Sequence, residues 1–109
     1  MANNKYTSCD VVGGGKIFLI DNKDGKKFKI IKMSAEEIRI KTDLQLKLDD
    51  IVELKIILNS ILFDIDINAK GKVVEKLEPT EKYRIEFFGL SDKVKGEIDE
   101  IMKSACSFV

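Results

Sequence analysis

The chain has 109 residues, 44% hydrophobic and 35% charged, a composition that suits one soluble domain with its own core and excludes a disordered chain. Nineteen basic residues balance nineteen acidic ones, and among the basic residues only Arg39 and Arg84 are arginine. Planar recognition of phosphate or guanine is therefore scarce, and nucleic-acid binding by counterion release is not expected. Histidine is absent, which rules out Ser-His-Asp catalysis, His–Cys zinc sites and histidine acid–base chemistry.

Residues 1–12 are polar and aperiodic and read as a loose tail, with Gly13, Gly14 and Gly15 as a flexible joint. The expected organisation is a flexible tail over 1–15 and a single domain over 16–109. No run reaches the apolar length of a membrane span, and the first residues carry no signal-peptide core, so membrane insertion is not expected and a cytoplasmic location is. Cys9 and Cys106 stand at opposite ends without CxxC spacing and are expected to be free thiols in a reducing compartment.

From Lys16 the pattern becomes strand-like. KIFLIDN (16–22) leads to Asp24-Gly25, a strong hairpin signal, and the chain returns through KKFKIIKM (26–33). EEIRIKT (36–42) alternates, with Ile38 and Ile40 on one face and Arg39 and Lys41 on the other. DLQLKLDD (43–50) is a short strand or an extended segment before a turn at Asp49-Asp50. IVELKIIL (51–58) alternates cleanly, and ILFDIDINAKGKVVEKL (61–77) is the longest strand signal, with Gly71 suggesting a bend or bulge. Pro79 marks a turn, and KYRIEFFGL (82–90) follows with Tyr83, Ile85 and Phe87 inward. The period then changes: Val94, Ile98, Ile101, Met102 and Ala105 form a helical stripe, with Ser91 as N-cap and Gly96 costing about 1 kcal/mol of propensity. Six antiparallel strands followed by one amphipathic helix imply an α+β, mainly β domain. A small barrel plugged or flanked by the helix satisfies this best.

Chemistry-bearing groups are few. GGGK (13–16) resembles a phosphate loop only superficially, because Ile17 follows the lysine and a strand follows where a helix is needed. Asp64 and Asp66 share a strand face, but among lysines and an asparagine they read as solvated. Adjacent Glu36-Glu37 and Asp49-Asp50 lie in turns. Phe87-Phe88 reads as one core residue and one partly exposed residue, with Phe88 a candidate partner surface. Lysines 23, 26, 27, 29 and 32 form a basic cluster, of which Lys26, Lys27 and Lys29, with Arg39, make a candidate surface for an anion or an acidic partner. No metal site, no cofactor and no enzymatic constellation is expected.

The arrangement resembles the PilZ domain family. The resemblance rests on a strand hairpin, then IIKMSAEEIRIKTDLQLKLDDIVELKIIL, a long strand, and YRIEFFGLSDKVKGEIDEIM, and it covers residues 16–103. It implies a six-stranded antiparallel PilZ-like barrel with a C-terminal helix, in a bacterial signalling protein that binds cyclic di-GMP and passes the signal to partner proteins. The family reads its ligand with RxxxR before the first strand and [D/N]xSxxG at the turn between the second and third. In this sequence Ser34 alone matches the second motif: Lys32 stands at the Asp/Asn position and Glu37 at the Gly position. The region of the first motif, KYTSCDVVGGG, holds no arginine. Lys32 donates only, Glu37 adds bulk and negative charge, and each lost charge contact costs about 2–5 kcal/mol. The expected function is a non-enzymatic regulatory adaptor acting through protein contacts, with a degenerate cyclic di-GMP site and Ser34 bonding its own turn. The alternative is a receptor that holds cyclic di-GMP or another anion through Lys5, Lys32, Arg39 and Ser34.

Overall fold

The computed structural model describes residues 6–11, 13–21, 24–59, 64–77 and 81–106. Six strands and one helix follow in chain order: β1 Gly13–Leu19, β2 Lys26–Met33, β3 Glu37–Thr42, β4 Ile51–Asn59, β5 Asp64–Leu77, β6 Lys82–Phe88 and α1 Asp92–Cys106. All pairings are antiparallel, and the sheet closes on itself in the order β1-β2-β3-β6-β5-β4. Closure removes free sheet edges and leaves one face of every strand to fill the interior.

Alternation decides which side chains fill it. Ile17, Phe28, Ile30, Ile38, Ile40 and Val52 are buried, as are Leu54, Ile56, Val73, Tyr83 and Ile85. α1 begins as expected, with Ser91 Oγ accepting from the Val94 amide at 3.2 Å, and it contributes Ile98 and Met102 to the same apolar cluster as Met33 and Ala35. Residues 43–50 form no strand. They bend at Asp43-Leu44, turn at Leu48-Asp49, where Asp49 has a φ of 71°, and bury Leu46 with its amide donating to the Tyr83 hydroxyl.

Four expectations are corrected. The glycines at 13–15 belong to β1 and do not form a joint, so the strand pairs with both β2 and β4 from Gly13 or Gly14 onward. Glycine shows no hydrophobic alternation, which hides a strand from pattern reading. At Gly15 it is required: φ is 150°, and a Cβ there would collide with the Lys55 carbonyl. The tail from Tyr6 is also attached. Cys9 exchanges backbone hydrogen bonds with Met33 at 3.0 Å, and the Thr7 amide donates to Asp99 Oδ1 at 2.7 Å. Finally, Cys9 is disulfide-bonded and not a free thiol. Separation along the chain misleads here, because the tail returns against α1, where Cys9 Sγ lies 3.8 Å from the Met102 carbonyl oxygen. Gly71 is not a bulge either; its bare Cα lets the Ile85 side chain pack against the strand. Among the described residues no helix is long and apolar enough to cross a membrane.

Candidate functional site

Two β-bulges build the site. Along β2, Ile30 faces inward opposite Ile40, and simple alternation would send Lys32 inward as well. The register slips at Ile31, so Lys32 stands opposite Arg39 on the outer face while Met33 returns to the core opposite Ile38. β5 repeats the device. Val73 faces Ile85 in the interior, the register slips at Val74, and Glu75 stands outside opposite Arg84. Since Arg39 is itself opposite Arg84, the outer face carries one row across four strands: Lys32, Arg39, Arg84, Glu75. In the next row Glu37 faces Glu86, and Glu86 faces Lys72.

Arg84 ties the two rows together. Its Nε donates to Glu75 at 2.9 Å, and its Nη1 donates to Glu37 at 2.8 Å and Glu86 at 3.4 Å. The hydrogen bonds to Glu37 and then Glu75 hold its guanidinium charged even more firmly than usual. Arg39 is the counterpoint: its Nε is buried without a hydrogen-bond partner.

Beside these rows lies a cavity of about 500 Å³. Its floor carries Lys32, Ser34, Glu37 and Arg39; β6 adds Glu86 and Phe87, α1 adds Lys95, and the tail closes it with Tyr6 and Ser8. The motif positions 32, 34 and 37 are thus neighbours around one opening. Ser34 is buried, and its Oγ accepts from the amides of Glu36 at 3.1 Å and Glu37 at 3.3 Å, while its own amide donates to the Glu37 carbonyl at 2.9 Å. The turn that breaks the strand is therefore closed by the serine hydroxyl. The Phe87 amide donates to the Glu36 carbonyl at 2.9 Å and pins that turn to β6.

No family sequence model matches the chain, and no curated protein does. Solved structures do. The structure of the Bacillus subtilis inhibitor of motility MotI/DgrA superposes with a TM-score of 0.79 at 14% identity, over 99% of this chain and 53% of that one. The PilZ domain with c-di-GMP of YcgR from Escherichia coli superposes with a TM-score of 0.74 at 12% identity, over 98% of this chain and 94% of that one. The fold is that of a PilZ domain. The chain spans about half the length of the MotI/DgrA chain.

On this PilZ-like barrel the remaining sequence candidates separate. Lys27 and Lys29 stand on the outer wall with Lys41, away from the cavity, whereas Lys32 and Arg39 line it. Lys26 is exposed at the start of β2. Phe88 is 44% exposed at the end of β6, and Phe87 is the partly buried member of the pair. Lys5 and Lys23 lie outside the described residues. Arg84, Glu75, Glu86 and Lys95 were not legible as site residues. The apolar doublets Ile30-Ile31 and Val73-Val74, where strict alternation fails, are the sequence mark of the two bulges.

Proposed function

We propose that this PilZ barrel is a non-enzymatic regulatory domain that acts in the cytoplasm through protein contacts and does not hold cyclic di-GMP in the manner its motif positions would imply. The observation that carries the reading is the electrostatic closure around Arg84. Four cations (Lys32, Arg39, Arg84, Lys95) meet four carboxylates (Glu36, Glu37, Glu75, Glu86), and the one guanidinium with fully made ion pairs spends them on the protein's own side chains. A ligand with two phosphate charges meets Glu37, where the family places glycine, and a tail contributing Tyr6 and Ser8 from a stretch that holds no arginine.

Isothermal titration with cyclic di-GMP to about 100 μM tests this. No heat of binding is expected. Saturable heat overturns the reading.

One observation favours a second reading. The orphaned Arg39 Nε beside Lys32 is a donor that an anion entering the cavity would satisfy. On that reading the domain is a receptor for cyclic di-GMP or another anionic ligand. Heat that disappears in Arg39→Gln and Lys32→Gln would support it, and heat that survives both changes would sink it.

A further inference from the structure

Opposite charges face one another across much of the barrel wall: Glu53 opposes Lys70, Lys72 opposes Glu86, and Glu75 opposes Arg84. The wall formed by β4, β1, β2, β3 and β6 breaks this rule. Lys16 stands directly between Lys55 and Lys27, and Lys41 directly between Lys29 and Lys82. All six point outward from strands whose alternate residues fill the core, and none makes an ion pair among the described residues. Lys55 instead sits over the Phe18 ring, 5.5 Å from its centre. Like charges directly opposite each other weaken a sheet. In a chain of zero net charge, two such rows meeting on β2 are an arrangement that folding alone disfavours.

A cleft of about 560 Å³ runs into this band, lined by Lys16, Lys27, Lys29 and Lys41 together with Gly15 and Ile57. Among the described residues Asp43 is the only carboxylate lining it. We propose that the lysine band is the docking surface for an extended acidic polypeptide segment of a partner protein, with an apolar side chain of that segment seated beside Ile57. The proposal rests on the reading that the domain acts through protein contacts and names the chemistry of the contact.

Shape selects the occupant. The two rows together cross five of the six strands of a closed barrel, so the ammonium groups fan around a curved wall. A polypeptide can follow that curve; a flat bilayer touches only part of it. Single-stranded nucleic acid needs aromatic platforms for its bases. Among the described residues the lone aromatic lining the cleft is Phe28, which is buried. Lysine, a point charge without fork geometry, suits carboxylates presented at variable spacing.

The test uses the full chain and a fluorescein-labelled peptide of about ten residues, glutamate with one central leucine, followed by fluorescence anisotropy. Binding is expected at about 50 mM NaCl and at least ~10-fold weaker at about 300 mM. The triple variant Lys16→Gln/Lys29→Gln/Lys41→Gln is expected to bind at least ~10-fold more weakly while melting at or above the native temperature, because repulsion has been relieved. The matched variant Lys70→Gln/Lys72→Gln/Lys76→Gln, on β5, is expected to bind within about 2-fold of native. Three results overturn the proposal: no binding by the native protein, equal loss in both triple variants, or phosphatidylglycerol vesicles or oligo-dT bound through the band more tightly than the peptide. Cyclic di-GMP titrated into the same proteins separates the two claims. Heat with cyclic di-GMP refutes the closed ligand site, whereas a silent cyclic di-GMP titration with no peptide binding refutes the band alone.

Discussion

Arg84 sits at the crossing of a cationic row and an acidic row, and its three ion pairs span β3, β5 and β6. Removing it leaves three carboxylates without their shared cation on a partly exposed surface. Arg84→Met is therefore expected to lower stability by about 1–2 kcal/mol at neutral pH, measured by urea unfolding. A variant as stable as native would show that the cluster is only a solvated surface. Asp99 makes a second residue-level prediction. The Thr7 amide foremost, and Lys103 at 3.3 Å as well, hold the Asp99 carboxyl below the usual carboxylate range. A group whose folded value is depressed contributes stability above its unfolded value, near 4, and loses that contribution as pH falls through the folded value. Asp99→Asn is expected to be less stable than native at neutral pH and to flatten the acid side of the stability profile. Identical acid limbs in the two proteins would contradict the contact. Neither residue was legible from the sequence, since both depend on partners 47 and 92 positions away, brought near only by strand closure and the returning tail.

At the scale of elements, β2 to β6 and α1 were legible because their apolar residues recur at two or at three and four, and burial enforces that period. β1 was half hidden because three of its seven residues are glycine. The bulges were not read, although each carries a doublet of β-branched residues, because a slip of one is visible only against the partner strand's register. Two glycine substitutions separate the two uses of that residue. Gly15→Ala forces a side chain into the Lys55 backbone at a φ of 150° and is expected to cost about 3 kcal/mol or more, or to prevent folding. Gly96→Ala meets open space within a helix and is expected to gain roughly 0.5–1 kcal/mol. Thermal or urea melts of the pair decide this, and the reverse order would refute both assignments.

For the whole molecule, barrel closure turns separate local patterns into surfaces with opposite characters. On one side the outer rows assemble Arg84 and its carboxylates beside the cavity that holds Lys32, Ser34, Glu37 and Arg39. From the neighbouring row on β2, β3 and β6 round to β1 and β4 they stack lysine against lysine. The six-stranded barrel with a C-terminal helix was legible from hydrophobic pattern. The charge balance beside the cavity was not, because Arg84 and Glu75 come next to its lining residues Glu37, Arg39 and Glu86 only through the pairing of β6 with β3 and β5. The most direct measurement is an amide-resolved NMR titration of the isotope-labelled protein with cyclic di-GMP in about tenfold excess. The signals of Ser34, Glu37 and Arg39 and the Arg39 side-chain Nε–H are expected to stay in place. Saturable shifts at those four groups would contradict a ligand site neutralised by the protein's own carboxylates.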